Sequence, residues 1–298
     1  MGLPTPRAGN EDEFATGEAV AQMAAAAESA GFHAVFVTEH PFPDDEWLAS
    51  GGHHALDPMV ALAFAAAATT TLRLMTNLFI PAYRNPFLSA KAVASLDALS
   101  GGRVVLGVGT GYLEPEYEAL GVPFEERNDL TDEAIVAMKQ AWASDGVVFD
   151  GRHFQARGHT MLPRPVQQPH PPIWVGGNSK RAIRRAVELG DGWIPLVNPA
   201  KAVERRRTPA METLDDLASR IAYAREHAAA VGREAPLGIM FALGGLRFEG
   251  GLVELAGALA ELGVTELYTA ARPVDTRAEW LAQVERMGAE VLPHVAPL

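Results

Sequence analysis

The stretch LDALSGGRVVLGVGTGY, residues 96–112, holds one complete step from helix to strand. Its first residues end a helix that begins at Pro86, and Ser100-Gly101-Gly102 is a turn. Residues 103–108 then form a short apolar run that reads as a strand buried on both faces. The same step recurs in both directions. Toward the N-terminus, 72–78 is a strand behind an Ala-rich helix, with Asp57 as cap and Pro58 at the first helical position. Before it, HAVFV (33–37) is a strand behind a helix near 18–30 that stops at Gly31. Toward the C-terminus the pattern predicts strands at 173–175, 192–196, 237–241 and 266–269, and helices at 128–143, 179–189, 212–231, 252–262 and 275–287.

That makes seven strands, each followed by a helix, and Gly2-Leu3 supplies a short eighth. Eight βα units with short, doubly apolar strands predict an α/β fold, a (β/α)8 TIM barrel rather than an open doubly wound sheet. No internal repeat or low-complexity linker divides the chain, so 1–298 is expected to form a single domain. Residues 146–172 break the rhythm and are read as an insertion between the fourth helix and the fifth strand. Val147-Val148-Phe149, Asp150-Gly151 and His153-Phe154 predict a hairpin with a tight turn. Pro163, Pro165, Pro169, Pro171 and Pro172 then fix an extended excursion.

Composition narrows the function. Twenty-five Lys and Arg stand against 37 Asp and Glu, a net charge of −12, which gives a polyanionic backbone nothing to bind; no nucleic-acid partner is expected. The chain has no Cys, so disulfides, thiolate metal sites and cysteine nucleophiles are excluded. The longest apolar run, 59–68, is about half a membrane span, and no apolar leader opens the sequence; a cytoplasmic protein with no membrane partner is expected.

In a barrel of this kind the chemistry lies at the C-terminal ends of the strands. The 33–37 strand runs into Thr38-Glu39-His40-Pro41, a carboxylate and an imidazole suited to proton transfer, or simply a solvated loop start. Thr76-Asn77 ends the next strand and could bond a ligand's ring edge, though a strand-end turn explains it as well. The run Gly107 to Tyr112 (GVGTGY) lets backbone approach a ligand, but its glycine spacing is not that of a dinucleotide fingerprint. Gly176-Gly177-Asn178-Ser179 opens a helix, where orphan N–H groups and the helix dipole suit a phosphate; a turn and an N-cap are the plainer reading. His53, His54 and Asp57 lack metal-ligand spacing, and no metal is expected. No Gly-x-Ser-x-Gly elbow is present, which leaves a serine hydrolase without a nucleophile site.

Five segments in order resemble the bacterial luciferase-like superfamily, and within it the deazaflavin (F420)-dependent oxidoreductases. They are AESAGFHAVFVTEH (27–40), the Arg-Asn-Pro turn at 84–86, 96–112 itself, PHPPIWVGGNS (169–179) and LGDGWIP (189–195). The resemblance spans about residues 15–200. It implies F420 lying across the barrel mouth, with hydride transfer between its C5 carbon and a small organic substrate, and His40 as the catalytic acid or base. It further implies cofactor contacts from Glu39, Thr76, Asn77, Gly109, Thr110, Gly111, Tyr112, Gly176, Gly177 and Asn178, with a non-prolyl cis peptide at Asn77-Leu78. Loops 41–56 and 146–172 would enclose the substrate. Tyr112 stands where sugar-phosphate dehydrogenases of the group carry an acid, which argues against that substrate class. The short, glycine-rich 243–251 leaves the mouth open or completed by the second subunit of a homodimer. The alternative cofactor is FMN, in a two-component monooxygenase that uses O2 and a separate reductase supplying reduced cofactor. A non-catalytic flavin-binding protein is the alternative of another class.

Overall fold

The computed structural model describes residues 1–6 and 9–295. Its strands are β1 (Ala34–Val37), β2 (Arg73–Thr76), β3 (Val104–Val108), β4 (Val147–Asp150), β5 (Gln155–His159), β6 (Ile173–Gly176), β7 (Gly192–Ile194), β8 (Gly238–Ala242) and β9 (Glu266–Tyr268). Seven of them form one parallel sheet in the order β1-β2-β3-β6-β7-β8-β9, with helices in the connections. Each lies within one or two residues of its sequence prediction at the start, though β2 and β7 end two residues earlier. Asp57 caps helix Pro58–Ala68 as expected, its side chain accepting the Met59 and Val60 N–H groups.

The pleat sorts the strand residues into two layers. Phe36, Met75, Val105, Ile194 and Met240 cluster on the concave face with Trp174 and Tyr268, while Val35, Leu74, Val104, Leu106 and Val175 join the helices in the main core. Trp174 fits inside because β7 and β8 carry Gly192 and Gly238 beside it. A Cβ on Gly238 would stand 2.7 Å from the indole, and one on Gly192 would overlap it.

The edges of the sheet meet through Gly2, which bridges in parallel to both Phe36 and Ala270. Its N–H donates to Thr269 O (2.8 Å), and the Leu3 N–H donates to Phe36 O (2.9 Å). The expected eighth strand is therefore a bridge one residue wide. Pro4 and Pro6, which have no N–H to donate, keep it from extending forward.

Residues 147–159 do form an antiparallel hairpin, but not a tight one. Asp150 pairs with Gln155, so β4 runs through the expected turn and residues 151–154 connect it to β5, closed by Gly151 N–H to Phe154 O (3.0 Å). Its buried face of Val147, Phe149 and Ala156 packs on Ala137 and Phe87 along the helices outside the sheet, and Phe154 alone reaches toward Tyr83 and Tyr117. The apolar alternation of the hairpin is used up on helix Arg127–Ala143 and Phe87. Among the described residues no helix is long and apolar enough to cross a membrane.

Candidate active site

A parallel sheet delivers the ends of all its strands to one face, and here that face collects the segments following β1, β2, β3 and β6. His40, three residues past β1, is held there by a carboxylate and by three rings. Its Nδ1 lies 3.1 Å from Glu116 Oε2. Its ring lies against Trp47 (centroids 4.4 Å apart) and meets the rings of His53 (5.1 Å) and Tyr112 (5.9 Å) edge-on. Trp47 belongs to helix Asp45–Ala49, capped by Asp44, and folds onto Gly52, where any Cβ would overlap the indole. Loop 41–56 thus supplies two of the walls around His40. Burial holds the Tyr112 pKa above the ordinary phenol value.

Glu116 is fully buried in helix Glu114–Ala119. It accepts from Tyr83 Oη (2.9 Å), and its other oxygen accepts from the Phe42 N–H (3.2 Å). Burial, with Glu116 close by, pushes the Tyr83 phenol far up, so it remains a donor.

Several expected cofactor residues have other partners. Glu39 is buried, accepting the Ile80 N–H (2.6 Å) and pairing with Arg84, whose guanidinium lies over Phe79. Burial raises the Glu39 pKa, against the pull of Arg84 and of the Ile80 N–H. Thr76 is fully buried and donates to Gly107 O (2.7 Å), locking β2 to β3. Asn77 donates its N–H to Val37 O (2.7 Å), and the Asn77-Leu78 peptide is cis, at the position the resemblance implies. Leu78 sits against Gly109 and Gly176. A Cβ on Gly109 would come within 2.9 Å of it, and one on Gly176 would overlap it. Those two glycines make room for Leu78 and so for the shape of the mouth.

Thr110 O accepts from the Tyr117 hydroxyl (2.6 Å), and Gly111 takes φ +65°, with Tyr117 3.0 Å from where its Cβ would be. Gly177 takes φ +120°, which favours glycine, and its N–H donates to Ile194 O (3.1 Å). Asn178 is buried: its N–H donates to Thr208 Oγ1 (3.0 Å), and its amide donates to Leu196 O and Pro209 O (2.8 Å each). Its donors hold loop 196–209 beside the mouth. Ser179 caps helix Lys180–Leu189 through the Ala182 N–H, while the N–H groups earlier in that turn have no intrahelical acceptor. Arg181 and Arg185 pair with Asp129 and Asp132, tying that helix to helix Arg127–Ala143.

Glu116, Tyr83 and Trp47 were not found by sequence reasoning. Glu116 lies 76 residues from His40, and nothing in the spacing of either announces the other.

The chain belongs to the luciferase-like monooxygenase family, whose model matches residues 3–245. It is 35% identical over 200 residues to the F420-dependent hydroxymycolic acid dehydrogenase of Mycobacterium tuberculosis, covering 64% of this chain and 53% of that protein. It is 28% identical over 217 residues to the FMNH(2)-dependent dimethylsulfone monooxygenase of Pseudomonas putida, covering 72% and 56%. Its fold matches that of the coenzyme F420 dependent tetrahydromethanopterin reductase from Methanopyrus kandleri with a TM-score of 0.71 at 16% identity, over 94% of this chain and 96% of the other.

Proposed function

We propose that this chain is an F420-dependent oxidoreductase that moves a hydride between the deazaflavin C5 and a small organic substrate. The observation that carries the reading is His40, held at the ends of the parallel strands by a buried carboxylate and walled by Trp47, His53 and Tyr112. We read the seven-stranded sheet and its Gly2 bridge as a (β/α)8 barrel whose mouth is this face.

The donor set suits a phosphate-bearing cofactor with a flat ring. The first-turn N–H groups of helix Lys180–Leu189 follow directly on the φ-positive Gly177 and would hold the phosphate. Leu78, seated between Gly109 and Gly176, would give the ring an apolar floor. When bound, F420 supplies the hydride chemistry at C5. His40 holds or delivers the accompanying proton, and Trp47 and Tyr112 keep bulk water from that exchange.

FMN is the second reading, favoured by the larger share of this chain, 72%, that matches the FMNH(2)-dependent monooxygenase. In that case a separate reductase would supply the reduced cofactor. A paired fluorescence titration of the apoprotein with F420 and with FMN separates the two. Micromolar F420 binding with weak FMN binding is the expected result; preference for FMN moves the protein to the monooxygenase side, and binding of neither removes the proposal.

A further inference from the structure

Two donors and one histidine ring nitrogen converge on the two oxygens of Glu116, and their identities constrain the protons around His40. One donor, the Phe42 N–H, is backbone and can only donate; it meets Oε1 at 3.2 Å. The second is the Tyr83 hydroxyl, 2.9 Å from Oε2 and kept protonated by its burial. The third position, 3.1 Å from the same Oε2, is His40 Nδ1. A carboxylate is acceptor-only, so a neutral imidazole at this position carries its proton on Nδ1 and leaves its lone pair on Nε2. We infer that Glu116 is a positioning residue that fixes His40 as the Nδ1–H tautomer and thereby makes Nε2 the nitrogen that exchanges protons with the substrate.

The assignment of proton exchange to Nε2 rests on the reading of His40 given above; the tautomer itself does not. The same logic orients dyads in which a buried carboxylate aligns a histidine base. A purely structural Glu116, itself in the segment after β3, would also tie that segment to those after β1 and β2, because His40 and Phe42 come from the first and Tyr83 from the second. The test therefore reads the ring nitrogens and not stability alone.

Glu116→Gln makes a sharp prediction. The Phe42 N–H requires an acceptor, so the new amide oxygen takes the Oε1 place and the amide nitrogen takes the Oε2 place, facing Tyr83 and His40. The tyrosine hydroxyl can turn to accept one amide hydrogen. His40 Nδ1 can accept the other only if the ring proton moves to Nε2. Long-range 1H–15N correlation spectra of 15N-labelled apoprotein, recorded above the titration of His40, are expected to show protonated Nδ1 in the wild type and protonated Nε2 in Glu116→Gln. Tyr83→Phe, which leaves the carboxylate in place, should keep the wild-type pattern. A wild-type His40 in the Nε2–H form or in an even mixture overturns the inference, whatever the variant does, so loss of fold in Glu116→Gln leaves it falsifiable. An unchanged tautomer in a folded Glu116→Gln overturns it equally. None of these spectra requires cofactor, so failure of the F420 reading is registered separately by the titration. If F420 does bind, Glu116→Gln should lower kcat by at least tenfold while leaving the F420 Kd within about twofold.

Discussion

Arg84 reaches from the segment after β2 to pair with Glu39 at the end of β1, and the carboxylate it meets is almost wholly out of water. Burial of that carboxylate would be costly alone; with Arg84 and the Ile80 N–H it becomes a brace for residues 79–84, which also carry Tyr83 to Glu116. Breaking one half of a buried pair costs about 3–5 kcal/mol, because the other half is left uncompensated. Arg84→Met should therefore lose about that much stability at pH 8. Burial raises the Glu39 pKa in the fold, so its contribution is most favourable below the unfolded value and is lost as pH rises through the folded one. Without Arg84 that pKa rises further, and the loss should shrink at pH 5. Urea melts at both pH values check this; an equal loss at both would refute it.

Glu28 presents the opposite sign. Its carboxylate accepts the N–H groups of Thr70, Thr71 and Leu72 and the Thr71 hydroxyl, fastening helix Gly17–Ser29 to the turn before β2. These bonds, the Thr71 N–H foremost, pull its pKa from the ordinary 4.5 down to about 2. A depressed acid contributes stability that is present above its unfolded pKa and lost as pH falls through the folded one, here between pH 4.5 and about 2. Glu28→Gln should cost about 1–2 kcal/mol at pH 7, at the low end for charge-assisted bonds because solvent screens the group. The difference between wild type and variant should vanish near pH 2, as followed by acid titration of the melting temperature.

The repeating strand pattern was legible because parallel strands covered on both faces read as plain apolar runs, and HAVFV and RVVLGV have no other good interpretation. His40, Gly177 and Tyr112 were legible because position along a strand predicts position at the mouth. Direction of a side chain was not. Glu39 and His40 are neighbours in sequence, yet one turns into the wall toward Arg84 and the other toward the Trp47 and Tyr112 rings. Thr76 looked like a ring-edge donor, but a carbonyl 2.7 Å away on the adjacent strand already takes its hydroxyl. Glu116 could not be read at all, since its meaning comes from three loops that only the fold brings together.

Thr76 and Gly107 test that last distinction between wall and mouth. Thr76→Val removes one buried hydroxyl bond while keeping the shape, and should cost about 1 kcal/mol with no change in cofactor affinity beyond about twofold. Gly107→Ala places a Cβ against the backbone oxygen of Thr76, which cannot swing aside as a side chain could. About 2–3 kcal/mol of destabilisation is expected, from overpacking between two paired strands. A large loss of affinity in Thr76→Val at unchanged stability would return Thr76 to the mouth.

Gly176 and Leu78 offer the converse case, a change expected to alter binding more than folding. A Cβ on Gly176 overlaps Leu78 Cδ1, the far end of a flexible side chain, so Leu78 can rotate away at modest cost. Gly109 lies beside the same methyl, where an added Cβ would stand 2.9 Å away, so Leu78 is expected to turn toward the mouth. Gly176→Ala should therefore lose no more than about 1 kcal/mol of stability yet weaken cofactor binding by about tenfold or more, because the displaced leucine occupies the ring's floor. Leu78→Ala combined with Gly176→Ala removes the collision and should recover much of the affinity. Isothermal titration of the two variants, with melting curves on the same samples, separates the outcomes. An affinity loss that persists in the double variant would mean that Gly176 acts through its backbone approach to the ligand and not through the seat it provides for Leu78.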